Sequence, residues 1–284
     1  MVIAFLGSVF SPYYAWSRAR QPGHAADPLA HCAINVSLYQ GGRKHWAMTE
    51  RGRASLQRSA AHLQLGPSQL CWERDTLVLR LDEITAPWPR RLRGEVRLHP
   101  SAVQAQAHAL DAQGLHRWWP VAPCAQVEVD LASPALRWRG RGYLDSNRGD
   151  APLEAAFREW HWSRAALNNG DGAVMYDALR RDGSRASLAL HFAQYGQMTA
   201  LQAPPPATLA PSNWRLARRT RSDADTAAAV RRTLEDGPFY VRSLVDSQWL
   251  GEPVCAVHES LNLDRFRKPW VQAMLPFRMP RRPA

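Results

Sequence analysis

The feature that most constrains this chain is an alternation of apolar and polar residues with a period of two. Ile34, Val36 and Leu38, for example, are separated by Asn35 and Ser37. Because successive side chains of a strand point to opposite faces, the pattern predicts strands with one buried face and one wet face. The alternation returns at residues 76–82, 127–131 and 188–192.

Turn-forming residues separate these runs, as in QGGR at 40–43, DAQG at 111–114, NNGDG at 168–172 and RDGS at 181–184. Short strands joined by such turns favour an antiparallel barrel or sandwich over a parallel α/β sheet. The apolar start MVIAFLGSVF has no preceding Lys or Arg, and we interpret it as a first strand and not as a signal peptide. The sequence thus predicts an all-β fold.

The length of 284 residues exceeds that of most single domains, and we expect two β-rich units, residues 1–145 and residues 146–284. Two stretches have helical character. The first is 151–158, with Pro152 at its start and Asp150 as N-cap. The second is 223–235, which is free of Gly and Pro and ends at the sequence DGP. We therefore expect a few short helices beside the strands.

The formal charge of +11 suggests a nucleic-acid protein, but the kind of cation argues against it. Lys44 and Lys268 are the only lysines, and 34 arginines are scattered along the chain without a zinc-finger, basic-zipper or RNA-recognition motif. We expect no nucleic-acid partner. An arginine-rich surface is, however, attracted to anionic lipid headgroups.

The cysteines and histidines carry no metal-binding pattern. Cys32, Cys71, Cys124 and Cys255 form no CxxC pair, and the ten histidines show neither HxH nor HExxH spacing. We expect no metal and no disulfide framework, which fits a reducing cytoplasm. No stretch has the roughly 18 apolar residues of a membrane span. P-loop, GxSxG and GxGxxG motifs are also missing, so the sequence gives no support to nucleotide or serine-nucleophile chemistry.

The stretch GYLDSN places Tyr143 two residues before Asp145, on one face if it is a strand. Three roles are open for this carboxyl group. Asp145 can belong to a turn, or it can pair with Arg141 or Arg148 in an exposed contact worth ~0–1 kcal/mol. In an apolar pocket, desolvation would instead raise its pKa and keep it protonated, and that form alone is a general acid.

A second pair, His116 and Trp118 in GLHRWWP, also shares one face if residues 115–119 are extended. A lone histidine is commonly a structural residue, and the sequence leaves both readings open. The chain has twelve tryptophans, many of them within the predicted strands. They can fill a core, or together line a long apolar cavity.

Four long strings resemble the carotenoid 1,2-hydratases, or hydroxyneurosporene synthases, of photosynthetic proteobacteria: GSVFSPYYAW, DPLAHCAINVSLY, WAMTERGR and RGYLDSNRGDAPLEAAFREWHWSRA. The resemblance implies a two-part lipocalin-like β architecture. It also implies cofactor-independent addition of water to the terminal 1,2 double bond of an acyclic carotenoid such as neurosporene or lycopene. The catalytic set it implies is Asp145, Tyr143, His116 and Trp118.

Within that resemblance, Asp145 is the expected proton donor, and the rings of Trp118 and Tyr143 are expected to stabilise positive charge. His116 is expected to bind or deprotonate water. Residues 265–278 mix cations with aromatic side chains, which predicts either an interfacial anchor or a closing strand with a basic tail. We expect a cytoplasmic protein that associates peripherally with the inner, photosynthetic membrane.

Two other functions fit the same pattern. The chain can be a lipocalin-like carrier that binds a carotenoid or other isoprenoid without converting it. It can also be an enzyme with the same fold and another reaction, such as a cyclisation, on a different lipid.

Overall fold

The structure, a computed structural model, describes residues 1–20 and 26–282. Most of these residues are in strands, which confirms the predicted all-β fold, and the helices are short. The strands are β1 (Val2–Leu6), β2 (Cys32–Gln40), β3 (Arg43–Arg51), β4 (Leu56–Arg58), β5 (His62–Leu65), β6 (Ser68–Glu73), β7 (Thr76–Ile84), β8 (Arg91–Pro100), β9 (His108–Ala109), β10 (His116–Ser133), β11 (Ala135–Gly149), β12 (Phe157–Ala166), β13 (Gly172–Arg180), β14 (Arg185–Phe192), β15 (Met198–Ala200), β16 (Pro206–Leu209), β17 (Arg218–Arg221), β18 (Ala229–Asp236), β19 (Tyr240–Trp249), β20 (Glu252–Asn262) and β21 (Arg281–Arg282). The helices are α1 (Pro12–Arg20), α2 (Leu153–Ala156), α3 (Leu263–Phe266) and α4 (Pro269–Met274), with 3-10 turns at Pro28–Ala30, Arg53–Ser55 and Leu275–Phe277.

The chain forms two compact units that are interleaved along the sequence. Unit 1 contains residues 1–99, 126–140 and 269–284, and unit 2 contains residues 100–125 and 141–268. The contiguous halves expected from the sequence meet at residues 145 and 146, a boundary that falls inside β11. The reason for the difference is the long hairpin of β10 and β11, whose tip belongs to unit 1 and whose base belongs to unit 2.

Unit 1 is built on two antiparallel arrangements. In the first, β1, β2 and β3 follow one another, and the short β21 joins β3 in parallel. In the second, the order is β11-β10-β8-β7-β6-β5-β4, with the hairpin tip contributing the first two strands. The alternating run Val127, Val129 and Leu131 is buried, and Leu38 and Val96 pack against it. The apolar residues of the alternating run therefore form part of the core, as their periodicity predicts.

Unit 2 is built on a seven-stranded antiparallel sheet in the order β15-β14-β13-β12-β20-β19-β18. Its strand order is an open path, as is that of the large sheet in unit 1, so neither sheet closes into a barrel. Because neighbouring residues of paired strands share a face, Trp162 stands beside Tyr176 on β13 and Glu259 on β20, and Glu259 stands beside Arg242 on β19. We call the face with this row the front face.

The opposite, back face of this sheet carries His161, Ser163, His258 and Ser260. It is closed by the segment that contains the β16–β17 hairpin, because the hydroxyl of Thr220 on β17 reaches that of Ser163. A cluster of buried apolar residues lies on the same side, including Met175 and Trp249. The back face is therefore a covered core.

The helix predicted over 223–235 is wrong. Residues 229–236 form the strand β18, which pairs with β19 across two register irregularities. Helix propensity is a weak signal, and pairing with a neighbouring strand outweighs it. The helix predicted over 151–158 is confirmed in part, since α2 covers Leu153–Ala156, but Pro152 and not Asp150 is its N-cap. The predicted first strand is confirmed as β1.

The C-terminal segment of unit 1 ends in α4, a 3-10 turn and β21. Arg281 on β21 forms an ion pair with the buried Glu50 of β3, which holds this end of the chain against the sheet. Residues 265–278 themselves form helical turns and no strand, and the strand that closes this end of the chain, β21, follows them. Among the described residues, we find no helix that combines the length and the apolar character needed to cross a membrane.

Candidate active site

The centre of the candidate site is Asp145, near the end of β11 in unit 2. Its Oδ2 accepts a hydrogen bond of 2.9 Å from the indole N–H of Trp118 and one of 3.1 Å from the hydroxyl of Tyr143. Tyr143 and Asp145 share a face of β11 because they are two residues apart. The structure thus brings three of the four predicted residues together around one carboxyl oxygen.

Burial controls the protonation of this carboxyl group. Asp145 is half-buried and surrounded by aromatic side chains, and desolvation is the main cause that raises its pKa from 3.8 to about 6. The hydrogen bonds from Trp118 and Tyr143 stabilise the charged form and lower the pKa, while the charge of Glu259 raises it. At a pKa of about 6, roughly a tenth of these groups carry a proton at pH 7. The acid form is therefore accessible near neutral pH.

Aromatic rings surround the carboxyl group and line the front face. The Trp118 ring is fully buried and lies 5.6 Å from the Tyr176 ring, measured between centroids, and Tyr176 lies 6.3 Å from Trp160. The ring of Tyr143 lies 5.4 Å from that of Trp162. Burial, followed by the charge of Asp145, raises the pKa of Tyr143 well above 10, so its hydroxyl stays a donor. The site is a mostly apolar wall with one acidic group.

Charged side chains lie next to this wall. Glu259 is paired with the buried Arg242 at 2.8 Å, from Oε1 to Nε. The guanidinium of Arg164 lies 5.5 Å from the centre of the Tyr143 ring and donates to the carbonyl oxygens of Pro123 and Gly142 at 3.1 and 3.3 Å. Burial lowers the pKa of Arg164. These charged groups contribute to the electric field at the carboxyl group of Asp145. None of them was predicted as a site residue.

His116, the fourth predicted residue, is buried with both ring nitrogens engaged. Nδ1 lies 2.5 Å from Oδ2 of Asp111, and Nε2 lies 3.0 Å from the carbonyl oxygen of Ala151. A carbonyl oxygen only accepts, so Nε2 carries a hydrogen. Burial raises the pKa of Asp111, but hydrogen bonds from His116 and from the N–H of Leu115 outweigh this and lower it, so Asp111 is ionised and Nδ1 also donates.

Both ring nitrogens of His116 are engaged with acceptors of the protein, which leaves neither nitrogen available to a water molecule. The water-activating role predicted for His116 therefore does not fit the geometry. His116 instead joins the turn at Asp111 to the chain just after β11, at Ala151. It also packs edge-on against Phe157, with ring centroids 5.0 Å apart. We describe it below as a positioning residue.

His108 has the properties that His116 lacks. It is the cross-strand partner of Trp118 in the β9–β10 pairing, with ring centroids 5.7 Å apart. Burial lowers the pKa of His108 below 6.5, so its ring is neutral at neutral pH. Its Nε2 is buried and has no hydrogen-bond partner among the described residues. A neutral imidazole of this kind can bind water and accept a proton.

His108 is not among the site residues predicted from the sequence, although a local turn signal bears on its position. The turn formers DAQG at 111–114 predict a hairpin, and symmetric pairing about this turn places position 108 opposite 117, one residue from its observed partner Trp118. For the full row of residues on the front face, the sequence has no comparable turn signal. Tyr176 lies across a hairpin from Trp162, but Glu259 and Arg242 are brought to this row by the pairing of β12 with β20, two strands that are far apart in sequence.

Comparisons with known proteins agree with one another. The profile of the family described as carotenoid hydratase CrtC matches residues 2–284. A protein from Thiocapsa roseopersicina named acyclic carotenoid 1,2-hydratase is 53% identical over 99% of this chain and 68% of its own length. Proteins of the same name from Rubrivivax gelatinosus and Cereibacter sphaeroides are 47% and 42% identical over 99% of this chain, which covers 69% and 98% of their lengths.

One solved structure has a similar fold. It is the protein named “putative AttH” from Nitrosomonas europaea, which superposes with a TM-score of 0.59 over 82% of this chain and 81% of its own. The two sequences are 14% identical, so the likeness concerns the fold alone. It supports the lipocalin-like β architecture expected from the sequence.

Proposed function

This chain belongs to the carotenoid hydratase family, and on that premise we propose that it adds water across the terminal 1,2 double bond of an acyclic carotenoid, such as neurosporene or lycopene. The product is a tertiary alcohol. The observation that carries the proposal is the position of Asp145, an acid with a pKa of about 6 in an aromatic wall. Water and the alkene supply every atom and electron of the product, so the proposed reaction needs no redox cofactor.

The first step is protonation of the alkene by Asp145. The electrons of the double bond form a new C–H bond at C2, and the positive charge is left at C1. Because Trp118 and Tyr143 both donate to Oδ2, the other oxygen, Oδ1, is the better position for the transferable proton. After transfer, the same two hydrogen bonds stabilise the carboxylate, as preorganised donors do in other enzymes.

The second step is stabilisation of the cation. Aromatic ring faces attract positive charge, by about 2 kcal/mol when water is excluded. Trp118, Tyr143 and Trp162 present such rings around the carboxylate. The new carboxylate adds its own attraction at short range. An apolar wall also limits the number of water molecules that can reach the cation.

The third step is capture of the cation by water. The oxygen of one water molecule bonds to C1, and the water then loses a proton. We assign binding and deprotonation of this water to His108, because its Nε2 is neutral and has no partner among the described residues. His116 has the different role of holding the β9–β10 turn, and with it His108, in place against β11.

A carrier of the same pigment needs only the apolar wall. A desolvated carboxyl group makes pigment binding less favourable, so it is a disadvantage to a carrier and a requirement for a proton donor. We also propose that the protein works in the cytoplasm at the surface of the membrane that holds its water-insoluble substrate.

The test is conversion of lycopene or neurosporene by the purified protein in water labelled with heavy oxygen. A hydratase gives a product with one added water and the labelled oxygen in the new hydroxyl, which mass spectrometry detects. Pigment that is bound and recovered unchanged would support the carrier. A product isomeric with the substrate, without added oxygen, would support another reaction on this fold.

A further inference from the structure

Unit 1 contains a concave site, formed by the start of β3, the connection between β7 and β8, and the chain after α4. Its volume is about 770 Å³. Four cations and two indole rings lie in its lining: Arg43, Lys44, Arg90, Arg278, Trp46 and Trp88. Among the described residues that line it, none carries a carboxylate. We call this site the basic pocket.

The local structure holds the basic pocket in shape. The guanidinium of Arg278 lies 4.4 Å above the ring of Trp46, and the carbonyl oxygen of Trp46 accepts a hydrogen bond from the N–H of Ala86. Thr85 closes the β7–β8 connection, since its backbone N–H donates to the carbonyl oxygen of Arg90 and its hydroxyl accepts from the N–H of Arg90. The connection is therefore fixed at its base.

Trp88 lies at the tip of this connection, and 79% of it is exposed. An indole that is held by a closed turn and left in water has no role in the core. A tryptophan beside cations is the combination that favours the interface between a bilayer and water, where the ring enters the headgroup layer and the cations face phosphate.

The segment that precedes Arg278, formed by α4 and the 3-10 turn, also combines exposed apolar side chains with a neighbouring cation. Trp270, Met274 and Phe277 follow one another at helical spacing and are exposed, with Phe277 78% exposed, while Val271 and Leu275 are buried. The exposed stripe ends at the residue before Arg278. An apolar stripe next to a group of cations is the pattern of a segment that lies at a membrane surface.

We propose that the basic pocket and the adjoining exposed side chains, Trp88 and Phe277, form the surface through which unit 1 binds an anionic phospholipid bilayer. The cations contact headgroup phosphates, and the aromatic side chains enter the interface. Charge complementarity selects this partner, because the lining carries four cations and an anionic bilayer presents phosphate at high density. The inference deepens the proposed function, which requires access to a substrate dissolved in a membrane.

The test is sedimentation of the full chain with vesicles of phosphatidylcholine alone and of phosphatidylcholine mixed with phosphatidylglycerol. We expect binding to the mixed vesicles and little binding to the neutral ones. The double variant Arg43→Gln with Lys44→Gln should bind the mixed vesicles at least tenfold more weakly, since each surface cation contributes roughly fivefold. Trp88→Ser should weaken binding by roughly tenfold, the effect of losing one buried aromatic side chain.

The matched controls are Arg58→Gln with Arg232→Gln, which removes two exposed charges elsewhere, and Tyr195→Ser, which removes an aromatic residue that is 95% exposed in unit 2. Both controls should bind like the parent protein. The proposal is overturned if the parent does not bind mixed vesicles, if neutral vesicles bind equally well, or if pocket and control variants weaken binding alike. It is also overturned if millimolar inorganic phosphate abolishes binding, because the pocket is then a site for a single free anion.

Conversion of carotenoid dispersed in detergent micelles separates this proposal from the proposed function. The pocket variants should keep the parental rate in micelles, and their melting temperatures should stay within a few degrees of the parent's. If the protein binds anionic vesicles through the pocket but converts no carotenoid, the hydratase proposal fails and the docking proposal stands. If it converts carotenoid in micelles but the pocket variants bind vesicles normally, the reverse holds.

Discussion

The two faces of the seven-stranded sheet contain similar polar groups in opposite situations. On the back face, the rings of His161 and His258 share the hydroxyl of Ser260 at 2.8 and 2.9 Å, and His258 also reaches Ser163 at 2.8 Å. The remaining nitrogen, Nε2 of His161, has no hydrogen-bond partner among the described residues and lies 4.0 Å from a carboxylate oxygen of Glu159. Beside the front face, the hydrogen bonds of Trp118 and Tyr143 converge on one oxygen of Asp145, on β11.

The difference shows that a shifted pKa does not by itself identify an active site. Burial lowers the pKa of His161 to about 4 and that of His258 well below 6.5, changes as large as that of Asp145. Three of the four ring nitrogens on the back face, however, are hydrogen-bonded to serine hydroxyls beneath a covering hairpin. The acid beside the front face is half-buried next to the half-buried rings of Tyr143 and Trp162, and its proposed role depends on this exposure.

The largest expected effect is that of Asp145→Asn. The variant keeps an acceptor for Trp118 and Tyr143 but has no proton to give, so turnover should fall roughly a thousandfold. The measurement is hydrated product per unit time at saturating lycopene. The back-face control is Asp177→Asn, which breaks a carboxylate pair with Arg221 at 2.7 Å. A loss of turnover in both variants, at equal retained fold, would remove the distinction between the faces.

The next effect concerns His108 on β9 and His116 at the start of β10. His108→Gln should lower kcat roughly a hundredfold if its ring deprotonates the attacking water. It should also abolish the fall of activity at low pH, because the parent needs a neutral ring whose pKa lies below 6.5.

His116→Gln provides the contrast. It weakens the contacts with Asp111 and Ala151, so we expect a lower melting temperature and a reduced rate with an unchanged pH profile. A pH profile altered by His116→Gln and not by His108→Gln would reverse the assignment.

A smaller effect is expected from two matched tryptophan substitutions. Trp118 and Trp249 are both fully buried, and each donates its indole N–H, the first to Asp145 and the second to the carbonyl oxygen of Arg221. Trp118→Phe removes a donor that lowers the pKa of Asp145, so that pKa should rise above about 6. The acid is active when protonated, so the decline of kcat/KM with rising pH should move to higher pH, with kcat changed roughly tenfold. Trp249→Phe should leave the profile in place.

The smallest effect is on stability. The pKa of Asp145 is raised by folding, so its contribution is favourable at low pH and is lost as the pH rises from 3.8 to about 6. The pKa of His161 is lowered, so its contribution is favourable above 6.5 and is lost as the pH falls toward 4.

Denaturant unfolding between pH 4 and 7 measures both contributions. Asp145→Asn should gain about 1–2 kcal/mol over the parent as the pH rises through this range, and His161→Asn should lose less than the parent as it falls. Parallel stability curves for all three proteins would contradict the assigned burial of both groups.

The sequence predicts local features of the molecule better than distant ones. The first strand, the turn at 111–114 and the shared faces of the Tyr143–Asp145 and His116–Trp118 pairs all follow from neighbouring residues. The helix predicted at 223–235 fails because pairing with β19 decides the conformation of that segment. The partners of His116 also escape prediction, since the carbonyl oxygen of Ala151 is 35 residues away and carries no side-chain signature.

The hairpin of β10 and β11 has a consequence for how such proteins can be recombined. Asp145 takes its hydrogen bond from Trp118, which precedes the tip, while Tyr143 packs on Trp162, which follows the hairpin. A chimaera of two relatives joined at residue 145 would take Asp145 from one relative and Trp162 of the aromatic wall from the other. Recombination of related sequences should therefore exchange residues 100–125 and 141–268 together, because they form one structural unit.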